Sequence, residues 1–306
     1  MVESPTVTSL PYYDADAVMA LGYAGAAEAI ARALRDGVDP AAGIARSGVD
    51  LAHGRMLLMP AETTTGTGIK LVTIAPGNPE RGLPLVHATY LLLDRETLAP
   101  AAVLDGTALT TLRTPALSVA AALPRLPERP LRLAVIGHGT QARGHAAAFA
   151  AVRPIEATTY LVRDPGRAAM PATRLGTSEA RQVLRGADVI VCATTARSPA
   201  LQDADVRDDA VVVAVGAYEP DARELDGALL ARSSVLVEDV GTALREAGDV
   251  VLAIAEGHLD ERRLLTLRGV LTGSDDVPAD RPLVIKTVGM AWEDLAVAEA
   301  VVAGPG

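Results

Sequence analysis

Only two of the 28 basic residues are lysine, Lys70 and Lys286; the other 26 are arginine. A guanidinium keeps its proton at any physiological pH, whereas an amine can give one up, so each lysine is a candidate for work that arginine cannot do. An ordinary surface lysine is the competing explanation for both. A second chemical signal is the glycine turn in LRLAVIGHGTQARGHAAAFAAV, which begins at Leu131. Gly137, Gly139 and Ala142 match G-x-G-x-x-G/A, which suits a tight turn, close approach of a pyrophosphate and contact between strand and helix. Thr140 and Gln141 then open the helix, whose first amides would face the anion. A turn that binds nothing could show the same spacing. The apolar strand before it and the Ala-rich helix after it are the context that dinucleotide binding requires. Thr194, at the end of ADVIVCATT, is a further candidate for contact with such a cofactor.

The elements that must hold these residues fall into two patterns. From Leu131 onward, apolar strands alternate with helices: a strand near 157–163, a helix near 178–185, ADVIVCATT, DAVVVAVGAY, a helix near 222–231 and SSVLVED. That alternation predicts a doubly wound parallel sheet covered on both faces. The stretch between Asp164 and Ala187 is too short for a helix, a strand and a second helix, so one element beside the adenosine end is expected to be missing. The first 125 residues instead carry the strand-like runs GRMLLMP, GIKLVTIAP, LVHATYLLLD and LAPAAVLDG, separated by turn chemistry, which predicts a mainly antiparallel sheet. Helices are predicted over 14–35 and 107–123, the latter with Thr114 and Pro115 suited to an N-cap and first helical position. PRLPERP reads as a linker, and KTVGMAWEDLAVAEAVV as a helix that returns to the first domain. The expected fold is therefore α/β, with residues 126–283 as a dinucleotide-binding domain. Residues 1–125 plus 284–306 form a second, α+β domain.

Of the 306 residues 49% are hydrophobic and 22% charged, which supplies a sizeable core and argues against disorder. The formal charge of -10, without any basic block, argues against a nucleic-acid partner. No run approaches the roughly 18 apolar residues of a membrane helix, and the opening MVESPTVTSLPYY lacks the features of a signal peptide, so a cytoplasmic protein is expected. A single cysteine, Cys192, excludes an internal disulfide, and the five histidines never fall at zinc-ligand spacing, so no metal is expected.

The order MLLMPAETTTGTGIKLVT, APGNPERGLPLVHATYLLLD, LLDGTALTTLRTPA, VIGHGTQAR and IKTVGMAWEDLAV resembles the ornithine cyclodeaminase/mu-crystallin family from near residue 45 to the end. The resemblance implies a Rossmann domain, a second domain built from both chain ends that also forms a homodimer, an NAD(P) cofactor, and α-amino or α-imino acid substrates. It places three positive groups at the family's carboxylate site: Lys70 in GIK, Arg113 in LRTPA, and Arg46, thirteen residues before Met59. The chemistry agrees, because planar guanidinium groups clamp a carboxylate at two points while a lysine between them can deliver a proton. Arg55, on the strand leading to MLLMP, competes with Arg46.

Two departures bear on the reaction. Deaminating relatives carry an aspartate where this chain has Tyr218, and an acid where it has Leu57. Glu219 and Asp221 are close by but read as a solvated turn. Ornithine cyclisation is therefore disfavoured, and the resemblance points to the ketimine reductase branch. The expected activity is NAD(P)H-dependent reduction of the C=N bond of a cyclic α-imino carboxylate. An amino-acid dehydrogenase, an ornithine cyclodeaminase and a catalytically silent mu-crystallin-like binding protein are the alternatives. Arg163 ends the second strand of the dinucleotide domain, where a basic residue suits the 2′-phosphate, so NADPH is expected ahead of NADH. Arg167 could assist, and Lys286 is expected near the nicotinamide or as a structural lysine.

Overall fold

Two hydrophobic patterns produce two sheets. In the computed structural model, which describes residues 9–304, the chain divides into two units. Of the described residues, one unit comprises 9–33, 42–113 and 290–304, the other 34–41 and 114–289.

The first unit contains β1 (Tyr12–Tyr13), α1 (Ala15–Met19), β2 (Ser47–Leu51), β3 (Gly54–Glu62), β4 (Thr67–Ile74), β5 (Val86–Leu93) and β6 (Pro100–Asp105). Its sheet runs β1-β6-β5-β4-β3-β2, antiparallel except for the parallel pair of β1 and β6. Strict alternation puts Met59, Ala61, Lys70, Val72, Tyr90, Leu92, Ala102 and Leu104 on one buried face. The last helix, α10 (Ala291–Ala303), packs against β3, β4 and β5, and ten of its residues are buried.

One predicted helix is divided, and in another the predicted range holds but the predicted cap does not. The segment over 14–35 is split into α1 and α2 (Gly22–Arg35), because Gly22 takes the left-handed conformation, φ +70°. The helix expected to be capped by Thr114 is α3 (Gly106–Ala122), and Pro115 lies inside it. Asp105 is the reason: its carboxylate accepts from the amides of Thr107 and Ala108, so the helix starts two turns earlier than the Thr-Pro signal suggests.

The second unit contains β7 (Leu131–Ile136), α4 (Thr140–Val152), β8 (Ile155–Val162), β9 (Ala172–Arg174), α5 (Ser178–Gly186), β10 (Val189–Cys192) and β11 (Val211–Ala214). It continues with α6 (Gly227–Arg232), β12 (Ser234–Val237), α7 (Val240–Glu246), α8 (Gly248–Ala255), β13 (Leu264–Thr266), α9 (Leu267–Thr272) and β14 (Leu283–Lys286). All eight strands are parallel, in the order β13-β12-β14-β11-β10-β7-β8-β9. The central strands β10, β11 and β14 are buried throughout, as expected of a sheet covered on both faces. The order reverses between β7 and β10, the switch point at which Rossmann-type sheets receive their ligands.

The missing element is the helix between β8 and β9, replaced by a single 3-10 turn, Pro165–Arg167. The helix expected over 222–231 begins at Gly227, capped by Asp226; the amides of Glu224 and Leu225 bind Asp249 and so lie outside any helix. Residues from 284 were expected to return to the first domain. Instead β14 is paired on both sides within the parallel sheet, and the first unit resumes at Met290.

His145 of α4 is fully buried. Its Nδ1 lies 2.7 Å from the carbonyl of Gln141 and its Nε2 3.0 Å from the Ser118 hydroxyl. A carbonyl only accepts, so Nδ1 carries the proton and Nε2 accepts from the hydroxyl. Burial pushes the imidazole from 6.5 down to about 4. The unfolded chain therefore takes up a proton first, and stability is lost as pH falls from about 6.5 towards 4, at about 1.4 kcal/mol per pH unit. Denaturant titrations at pH 7 and pH 5 should show a loss about 2 kcal/mol larger in the parent than in His145→Gln; equal losses would show that His145 does not set this slope.

Candidate active site

Lys70 stands in the middle of β4, where the pleat turns it to the buried face. The register aligns Met59, Lys70, Tyr90 and Leu104 in one row across four strands. A lysine at 2% exposure requires partners. Its Nζ donates to the Asp294 Oδ1 at 2.8 Å, lies 2.7 Å from Oδ2, and reaches the Thr110 hydroxyl at 3.2 Å. Thr110 and Arg113 are one turn apart on α3 and share a face. Arg113 donates from Nη1 to Glu293 Oε2 at 2.7 Å and from Nε to Asp294 Oδ1 at 3.2 Å. Glu293 uses its other oxygen to accept from the Met290 amide, which caps α10.

Two cations and two carboxylates thus form a neutral cluster removed from water. Desolvation dominates at Lys70 and brings its amine from 10.5 down to about 8; Asp294 opposes this and the neighbouring Arg113 adds to it. An amine at that value is protonated at neutral pH and able to release the proton slightly above it.

Arg46 is half-buried and directly precedes β2. Ser47, the first residue of β2, pairs with Leu58, and Arg46 lies just outside the paired strand. Arg55 lies four residues, roughly 13 Å, along β3 from Met59 and is exposed, 3.7 Å from Asp50. Leu57 sits opposite Gly48 and Val72, with no carboxylate at that point of the sheet.

In the second unit, Gly137 has φ +118°, and a Cβ there would stand 2.4 Å from the Ala193 carbonyl, so only glycine lets this turn pass the end of β10. Gly139 is the N-cap of α4 and offers no side-chain cap to the helix, and no atom lies within 4 Å of the place its Cβ would occupy. The amides of Thr140 and Gln141 therefore begin a helix whose end is uncapped and open, which fits a pyrophosphate.

Arg163 follows β8 and is exposed, as is Arg167. Asp164 accepts from the Gly166 amide at 3.1 Å, and Arg174 of β9 donates to the Arg163 carbonyl at 3.1 Å. The Thr194 hydroxyl donates to Glu224 and accepts from the Ala196 amide. The Lys286 ammonium is enclosed at 1% exposure, bound to Asp249 at 3.1 Å and to the Ala217 carbonyl at 2.5 Å, so it serves the interior of this unit. Tyr218 is exposed, and Glu219 and Asp221 both pair with Arg197 at the surface. Among the described residues no group of three His, Cys, Asp or Glu could hold a metal ion, and no helix is long and apolar enough to cross a membrane.

Sequence reasoning missed Glu293, Asp294 and Thr110 in the first unit, and Glu224 and Asp249 in the second. A signal existed for one pair: adjacent acids in the otherwise apolar WEDLAVAEAVV call for buried partners.

A Rossmann-type sheet with a glycine turn at its switch point, in a chain whose other unit is α+β and holds a buried lysine and arginine among carboxylates, defines the dinucleotide-binding class of protein. The ornithine cyclodeaminase/mu-crystallin family model matches residues 21–303, and the chain belongs to that family. Delta(1)-pyrroline-2-carboxylate reductase 2 of Burkholderia ambifaria is 34% identical over 250 residues, 79% of this chain and 78% of that protein. The Thermococcus litoralis Delta(1)-pyrroline-2-carboxylate reductase, solved with NADH and L-proline, superposes with a TM-score of 0.84 at 26% identity, covering 96% of this chain and 97% of that one. An archaeal alanine dehydrogenase dimer with bound NAD gives 0.83 at 26% identity, covering 96% and 95%.

Because the chain has only two lysines, a 13Cε-lysine NMR titration resolves both. Lys70 should titrate near pH 8, and Asp294→Asn should move it lower, since the carboxylate is what opposes desolvation. A value unchanged by Asp294→Asn would contradict that account.

Proposed function

We propose that this protein reduces the C=N bond of a cyclic α-imino carboxylate, such as a pyrroline- or piperideine-2-carboxylate, with NADPH. The observation that carries this is Lys70, a buried amine brought to about 8 and held between Asp294 and Thr110. Hydride for the imine carbon would come from a nicotinamide cofactor whose pyrophosphate is held at the turn over residues 137–141. Lys70 delivers the proton to the imine nitrogen, so the product is a neutral secondary amine and the lysine recovers its proton from solvent. Asp294 keeps the amine charged before transfer and fixes its direction. Arg113 and Arg46 hold the substrate carboxylate. The first unit is then the substrate and dimerisation domain, and the second the cofactor domain. The relatives named as pyrroline-2-carboxylate reductases support the substrate class.

With Tyr218 and Leu57 at the two positions described above, a distal ammonium such as that of ornithine would lack a counter-charge. Glu293 and Asp294 do not supply one, being engaged by Arg113 and Lys70. The preference for NADPH rests on Arg163, which directly follows β8, and on Asp164, one of whose carboxylate oxygens is taken up by the Gly166 amide. A homodimer is supported by the outer face of the first sheet, where Leu58, Ile69, Leu71, Leu91 and Leu93 remain half-exposed, and by the dimeric alanine dehydrogenase neighbour. This reading sets the protein in the cytoplasm, where reduced nicotinamide cofactors are regenerated.

Pyrroline-2-carboxylate with NADPH should consume cofactor in step with proline formation, and ornithine with NAD should release no ammonia. Ammonia release faster than imine reduction would overturn the assignment. Lys70→Met should lower turnover by about 100-fold or more. Since the protonated amine is the donor, parent turnover should fall about tenfold per pH unit above pH 8 and level off below it. Arg163→Ala should weaken NADPH by about 1.5–3 kcal/mol and leave NADH nearly unchanged in fluorescence titrations; tighter NADH than NADPH binding by the parent would count against the phosphate site.

A further inference from the structure

Parallel strands leave amides without ladder partners at their carboxyl ends, and three neighbouring strands of the second unit end together: β10, β11 and β14. Four amides just beyond them are met by two buried glutamates. Glu224 Oε1 accepts from the Thr194 amide at 2.7 Å and from the Thr194 hydroxyl at 2.7 Å, while Oε2 accepts from the Gly216 amide at 2.7 Å. Glu238 accepts from the amides of Val288 and Gly289, both at 2.8 Å. One carboxylate thus joins the loop after β10 to the loop after β11, and the other gathers the loop after β14.

Glu224 is itself immobilised. Its own amide and that of Leu225 donate to Asp249 Oδ1 at 2.8 Å, and its carbonyl accepts from Ala200 and Leu201. Asp249 in turn pairs with Lys286 at the end of β14. The two stapled loops touch: a Cβ at Gly216 would stand 2.0 Å from the Thr194 carbonyl and 2.5 Å from Glu224 Oε1. Nothing in the sheet requires this arrangement, since β10 and β11 are joined by their own ladder and surrounded by apolar side chains. Burying a carboxylate costs several kcal/mol before its partners offset it, and apolar side chains often replace such groups without loss of stability. What the carboxylate provides is a fixed spacing between two loops beside the switch point, on the side opposite β8 and the adenosine end.

We propose that Glu224 is a positioning residue for the nicotinamide half of the cofactor: by stapling Thr194 to Gly216 it sets the seat of the reacting ring without touching it. This rests on the second unit being the cofactor seat, and binding of fragments separates the two ideas. ADP-ribose carries the adenosine half without the nicotinamide. Glu224→Gln keeps the size of the side chain but turns an amide NH2 towards donors at one of its two loops. In that variant the ADP-ribose dissociation constant should stay within about twofold, while that of the intact nicotinamide cofactor should rise about tenfold or more and kcat fall by a similar factor. The KM for the imine should not change.

Equal losses for ADP-ribose and intact cofactor would reduce Glu224 to general support of the fold, and unchanged cofactor affinity and kcat would remove the role altogether. Should Glu224→Gln not fold, Thr194→Val reads out the same staple, because that hydroxyl is already taken up by Glu224 and Ala196. It should show the same selectivity at smaller size, and its absence would overturn the proposal. A parent protein that binds neither ADP-ribose nor NAD(P)H would instead refute the cofactor seat.

Discussion

The bond between Lys70 and Asp294 joins residues 224 positions apart, and the architecture of the first unit follows from it. An ammonium at the centre of a sheet cannot stay charged without a partner, and the residues paired with it on the neighbouring strands, Met59 and Tyr90, are not acids. The partner arrives on α10, the last helix of the chain, which must therefore lie across β3, β4 and β5. Asp294 and Glu293 then bring two charges for one lysine, and Arg113, one turn beyond Thr110 on α3, restores neutrality. Each group is costly alone and tolerable in company. The mutual dependence draws β4, α3 and α10, far apart in the chain, into one cluster.

Buried carboxylates do two different jobs in this molecule. Asp294 meets ammonium and guanidinium, and its effect is on a proton: it holds Lys70 charged against desolvation. Glu224 and Glu238 meet backbone amides, and their effect is on the spacing of chain segments. The first kind alters the chemistry of a reactive atom and the second only the geometry around it. Fixed geometry matters because reacting atoms a fraction of an ångström out of place lose much of the benefit of being bound together.

What was legible in the sequence was what depends on neighbours in the chain. The glycine turn, the strand before it and the helix after it are one local device, and Gly137 and Gly139 stand where the spacing puts them. Lys70 was conspicuous because lysine is so rare here. Arg46, Lys70 and Arg113 are linked through resemblance rather than through any periodicity; Lys70 and Arg113 share one buried cluster, and Arg46 lies outside the paired residues of β2. The acids were not legible: Asp294 is defined by a lysine far away in the chain, and at the start of a helix an acid reads as an ordinary response to the helix dipole. Local signals also competed. Thr114 and Pro115 are good helix-opening residues, but Asp105 captured the amides first, and Gly22 divided one amphipathic stretch into two helices. The shortage of residues after Asp164 was plain from length alone. That the lost element was a helix, with β9 retained, required the pairing of β8 with β9.

Both lysines are interior, at 2% and 1% exposure. The positive side chains that the molecule shows to solvent are therefore all guanidinium. Reagents and enzymes that attack side-chain amines, whether succinimidyl esters, acetyl donors or ubiquitin-conjugating machinery, find no accessible target on the folded chain. A label attached to a side-chain amine therefore reports opening of the structure, and its position at Lys70 or Lys286 reports which of the two units opened.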